Sequence, residues 1–147
     1  MSANPFGTDI RDTDILEDLG FFDDWEDRYR YIIDLGKKLP PMPETLKTDA
    51  NFVHGCQSQV WIHADYNAAD NTLDFLVDSD AFIVRGLAAM VMAAFNHRSP
   101  QAILDFDIDT YFKQTQLIQH LSPTRGNGLK SMVRKIRQAA EAARAGA

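Results

Sequence analysis

One cysteine, Cys56, is the residue in this chain best placed to do covalent chemistry. A lone cysteine commonly serves as a small buried hydrophobe. The segment His54-Gly55-Cys56-Gln57-Ser58, however, follows a loop and precedes a strand-like alternation, so the sulfur falls at a loop–strand junction. Gly55 gives the backbone beside it conformations that other residues avoid. Gln57, Ser58 and Gln59 can donate hydrogen bonds near the sulfur. The thiolate is the reactive form, and neighbouring donors or cations lower its pKa.

Two arginines are candidates to supply that positive charge. Arg85 interrupts the apolar run Ala81 to Phe95, in which thirteen of fifteen residues are apolar. A charge in such a helix must find a partner. Either it pairs with Asp74, Asp78 or Asp80, or it faces the cysteine loop and favours a sulfur anion. Arg125, just after Ser122-Pro123, has a similar case. The histidines His54, His63, His97 and His120 have no i, i+3 or i, i+4 pairing, and no second cysteine exists, so no metal site is expected. No Gly-rich phosphate loop and no GxSxG elbow occurs. A cysteine hydrolase remains an alternative only if His54 or His120 can act as base to Cys56.

The elements that must hold these residues follow from periodicity and punctuation. Asp23 or Asp24 can cap a helix from Trp25, with Trp25, Tyr29, Ile32 and Ile33 on its inner face. Gly36 suits its end, and Pro40-Pro41-Met42-Pro43 forbids continuation. Val60 and Ile62 alternate with polar neighbours as a strand, residues 67–71 are turn chemistry, and Leu73 to Val77 returns as a second strand. Asp78-Ser79-Asp80 offers caps to a helix over Ala81 to Phe95, which is apolar all round and therefore buried. Ser99-Pro100 opens a short helix, Asp109 can cap another, and Leu121-Ser122-Pro123 starts a last amphipathic helix with Leu129, Met132, Val133, Ile136, Ala140 and Ala143 in one stripe. The order is α+β: a small antiparallel sheet packed against helices. Residues 1–21 read as an acidic, loose or short-helical segment, and residues 22–147 as a single domain.

The chain has 147 residues, enough for one core. Its net charge of −6 argues against nucleic acid as a partner. Nine acidic residues lie between Asp9 and Asp27 against Arg11 alone, and six basic residues lie between Arg125 and Arg144 against Glu141 alone. The two ends are either solvated or help to dock a charged protein. Met1-Ser-Ala-Asn-Pro lacks a secretory pattern, Leu87 to Phe95 is too short to span a bilayer, and one cysteine forms no intramolecular disulfide. The expected location is the reducing cytoplasm, away from membranes.

Three separated stretches together carry a family likeness. They are Gly55-Cys56-Gln57-Ser58-Gln59-Val60-Trp61, then Asp78-Ser79-Asp80 leading to Ile83-Val84-Arg85-Gly86-Leu87, then Leu121-Ser122-Pro123-Thr124-Arg125-Gly126-Asn127-Gly128-Leu129. With Trp25 to Gly36 upstream, they strongly resemble the SufE family from about Phe22 to the last helix. Thr124 stands where serine is common, and Gln57-Ser58-Gln59 looks closer to SufE proper than to CsdE. The resemblance implies an IscU-like fold without a bound cluster and no cofactor in this chain. It implies persulfide sulfur accepted on Cys56 from a SufS- or CsdA-type cysteine desulfurase, stimulation of that enzyme, and delivery to a SufBCD-type iron–sulfur scaffold. It places the family's basic residue on Arg125. Gly55, Gln57, Ser58 and Arg85 are expected to support the thiol, and Gln59, Asp78 and Asp80 to meet the partner. A regulatory module that carries no sulfur is a further alternative, and monomer and homodimer both stay open.

Overall fold

The computed structural model describes residues 4–56 and 58–146. Its centre is α3, Phe82–Phe95, whose residues from Gly86 onward are all buried. An apolar surface around the whole circumference needs neighbours on every side. These are α1 (Asp12–Leu19), α2 (Trp25–Gly36), the second strand and the last helix, α6 (Pro123–Gly146). The two strands, β1 (Val60–Asn67) and β2 (Thr72–Ser79), pair antiparallel from Val60 opposite Ser79 to Asn67 opposite Thr72. Val60 and Ile62 on β1, and Leu73, Phe75 and Val77 on β2, turn one face to the helices. The α+β expectation therefore holds. Among the described residues no helix is long and apolar enough to cross a membrane.

Several helix ends follow side-chain chemistry visible in the sequence. Asp24 accepts from the Asp27 amide at the start of α2. Ser99 accepts from the Ala102 amide, with Pro100 at the first position of α4 (Pro100–Asp105). Two assignments shift. Asp107, not Asp109, caps α5 (Ile108–Thr115) by accepting from the Thr110 amide. The run Asp78-Ser79-Asp80 does not cap α3. Its N-cap is Ala81 with no side-chain bond, and Asp80 is engaged elsewhere. The inner face of α2 is also turned slightly, so that Ile32, Leu35 and Gly36 are buried while Trp25, Tyr29 and Ile33 are half-buried.

Gly36 does more than end α2. A Cβ at Gly86 would fall 2.2 Å from the Ile32 carbonyl oxygen, and one at Gly36 would fall 2.7 Å from the Gly86 nitrogen. The two helices thus cross backbone against backbone, an approach that only glycine permits.

The acidic N-terminal segment is tied to the same core. Ile15 and Leu19, one helical turn apart on α1, are buried with Phe6. Tyr31 donates to Asp18 at 2.8 Å, and burial beside that carboxylate pushes the Tyr31 phenol well above its ordinary range. Asn96, 2% exposed, accepts from the Phe75 amide at 2.7 Å and donates to the Phe6 carbonyl at 2.9 Å. One buried amide therefore joins the N-terminal segment, β2 and the end of α3. Asn96→Ala strands both backbone groups, and the expected cost is about 2 kcal/mol, read as a lower midpoint in chemical denaturation.

Candidate functional site

The cysteine loop is tied at its base. The Val53 amide donates to the Val60 carbonyl at 2.8 Å, and the Ile62 amide donates to the Asn51 carbonyl at 2.8 Å, so residues 51–53 run beside the start of β1. A second tie reaches β2: the Gln59 amide donates to the Asp80 carboxylate at 3.0 Å, and the Asp80 amide returns to the Gln59 carbonyl at 3.3 Å. Gly55 turns the chain at φ +91°, in the left-handed region, and any Cβ there would come within 2.9 Å of Ser131 Oγ.

The loop points its sulfur at α6. Cys56 is half-buried, and its thiol donates to the Gly128 carbonyl at 3.6 Å. A methyl group at Gly128 would lie 3.2 Å from the sulfur, so the glycine makes room for it. The sulfur sits in a cleft between Val84 and Leu87 of α3 and Thr124, Arg125, Gly128 and Met132 of α6, with Ser58 at its side. About 10 Å³ of free space remains there, room for one water-sized atom.

This environment reverses one expectation. Flanking donors would lower the thiol pKa, yet burial pushes it up. Burial disfavours the thiolate, and the bond to Gly128 uses the thiol as donor, which also favours the protonated form. Alkylation of Cys56 in the folded free protein is accordingly expected to be several-fold slower at pH 7 than in the urea-unfolded chain. Its pH midpoint should lie above that of the unfolded thiol. Iodoacetamide rates from pH 6 to 10 measure both.

The other expected residues divide into two groups. Arg125 and Ser58 line the cleft. Arg85 does not: its guanidinium pairs with Asp78 at 3.4 Å, and the other Asp78 oxygen takes Lys47 at 3.1 Å. The partner needed by a charge on α3 is therefore a structural ion pair at the end of β2. Lys47, which also stands 5.3 Å over the Trp61 ring, is not among the residues the sequence singles out. Val60 and Trp61, which follow the loop in sequence, are absent from the cleft lining, whereas Leu87 of α3 belongs to it. Gln57 lies outside the described residues. Sequence reasoning misses Gly128 and Met132 as site residues. Their signal is a pair of glycines two apart in a helix that has no turn to make.

Neither histidine considered as a base joins the site. His120 stacks on Trp25 with ring centroids 3.7 Å apart, and Tyr29 donates to its carbonyl at 2.6 Å. His54 is exposed, with its ring edge-on to Phe52 at 5.0 Å.

Cys56 is thus a half-buried lone thiol facing the glycine-bearing start of α6. Residues 13–140 match the model of SufE, described as an Fe–S metabolism associated domain. The chain belongs to the SufE family. An uncharacterized SufE-like protein of Rhizobium meliloti (strain 1021) is 50% identical over 129 residues, covering 86% of this chain and 92% of that one. A second, from Rhizobium etli, is 45% identical over 129 residues, covering 86% and 87%. In fold, the chain is similar to the solution structure of a hypothetical protein from Thermus thermophilus. The TM-score is 0.74 at 20% identity, over 98% of this chain and 99% of that one. SufE membership assigns the chain a role in iron–sulfur metabolism.

Proposed function

We propose that this SufE-family chain is a sulfur acceptor and carrier working through Cys56. The Cys56 thiolate attacks the terminal sulfur of a cysteine persulfide on a cysteine desulfurase of the SufS or CsdA type. A new S–S bond forms on Cys56, the donor's S–S bond breaks, and the donor cysteine leaves as thiolate. The sulfur moves without external oxidant or reductant. Removing the donor's persulfide frees the desulfurase for another turnover, which accounts for stimulation. A second exchange hands the sulfur to an iron–sulfur scaffold of the SufBCD type. A reducing cytoplasm suits a carrier that depends on a free thiol.

The observation that carries this reading is the cleft itself: a lone half-buried sulfur with space beside it for about one more small atom. Apolar walls from Val84, Leu87 and Met132 suit the sheltering of a persulfide from reductants and water. Arg125, exposed at the edge of the same cleft, would favour the persulfide anion. Gln59, Asp78 and Asp80 would meet the desulfurase around the loop, where polar groups tune partner choice and association rate. The protonated resting thiol then reacts little until docking displaces the loop, a shift between two conformers biased by partner contacts.

Intact-mass spectrometry after incubation with desulfurase and free cysteine tests the proposal. The expected product gains one sulfur, roughly 32 Da, removed by thiol reductant and confined to Cys56. A folded chain that stays unmodified beside a desulfurase releasing sulfide overturns it.

A further inference from the structure

The free space beside the half-buried sulfur holds about one water-sized atom, so a larger reagent gains full access in the free chain when the sulfur's surroundings move. Docking is proposed above to displace the loop; without a partner, the walls of the cleft are the other route. The α3 wall, Val84 and Leu87, is itself buried and belongs to a helix whose residues from Gly86 onward are all buried. The α6 wall differs in kind. Its Thr124 and Arg125 are exposed, and they sit on turns built from Gly126-Asn127-Gly128.

Three consecutive poor helix formers at the start of a helix make those turns easy to fray. At the entry of α6 the Arg125 amide donates to Ser122 Oγ at 3.3 Å, and the Gly126 amide donates to the Ser122 carbonyl at 2.9 Å. A methyl group at Gly128 would crowd the sulfur, whereas Gly126, although buried, has no neighbour that excludes a side chain. A methyl group there would meet no atom within 4 Å. A helix position with room for alanine but occupied by glycine gives up stability with no gain in packing.

We infer that the first turns of α6, residues 123–128, are the access gate of Cys56, and that Gly126 sets how often the gate opens. Fraying this segment withdraws Thr124, Arg125 and the Gly128 carbonyl together. That removes one wall and the thiol's hydrogen-bond acceptor in a single event. The inference rests on the carrier reading for its purpose, but not for its measurement.

The test is the iodoacetamide alkylation rate of Cys56 in the full chain. Reagent is kept dilute so that closing outpaces capture and the rate follows the open population. Gly126→Ala should raise thermal stability and slow alkylation by about five-fold, the difference in helix propensity between glycine and alanine. Asn127→Ala, at an exposed position, should slow it about two-fold by the same route. The rates of the urea-unfolded variants should equal wild type, and the native rates should not change with urea below the unfolding transition. Folded Gly126→Ala and Asn127→Ala proteins that alkylate as fast as wild type overturn the inference, as does a rate that tracks global unfolding. None of these readouts involves a desulfurase, so failure of the carrier proposal leaves them intact.

Discussion

Cys56→Ser accepts no sulfur: after incubation with desulfurase and cysteine its mass is unchanged, while the wild-type chain gains roughly 32 Da. The reason is chemical, since a hydroxyl is scarcely ionised near neutral pH and does not form the S–S bond that holds sulfane sulfur. The substitution is structurally mild. Serine is slightly smaller than cysteine, and its shorter bond leaves the hydroxyl farther from the Gly128 carbonyl, which the thiol reaches at 3.6 Å, so only one weak hydrogen bond is lost. The free energy of unfolding should stay within about 1 kcal/mol of wild type, so loss of acceptance is not loss of fold. Desulfurase turnover separates the carrier from a mere regulator. A carrier loses all stimulation that depends on transfer, whereas a regulator keeps its effect with serine in place. Undiminished stimulation by the Cys56→Ser protein would sink the carrier reading.

The largest effect on stability is expected at the crossing of α2 and α3. Gly86→Val drives a carbon bearing two methyl groups into a position where even a Cβ lies 2.2 Å from the Ile32 carbonyl oxygen and 2.7 Å from its carbon. The obstacle is backbone, which cannot rotate aside as a side chain does. The helices must separate, and separation opens gaps around Ile32 and Leu87, both fully buried. Overpacking of this kind costs about 3 kcal/mol, and the added voids bring the total to about 4 kcal/mol. The thermal midpoint should fall by about 10 °C or more. Val84 and Leu87 flank Gly86 and wall the cysteine cleft, so surviving folded protein should also alkylate faster at Cys56. A variant that melts with wild type would refute the close-crossing account.

The sequence alone determined the α+β class, both strands and their turn, the buried nature of α3, a cap at Asp23 or Asp24 and the cap at Ser99, because these rest on local periodicity and short-range hydrogen bonds. It also singled out Cys56, Ser58 and Arg125, which come together in one cleft. Tertiary structure decided what depends on distance across the fold. Arg85 could have faced the sulfur or an aspartate, and only the path of β2 past η1 (Glu44–Leu46) put Asp78 between Arg85 and Lys47. The sign of the Cys56 pKa shift was likewise undetermined, because neighbours in sequence said donors while neighbours in space said burial. Ile15 and Leu19 show the same limit from the other side: two apolar residues in an acidic stretch look weak until α3 and α5 receive them. A pattern along the chain reports which face is apolar, but what that face or charge meets is settled only when distant segments pack, since burial and pairing energies depend on separation in space.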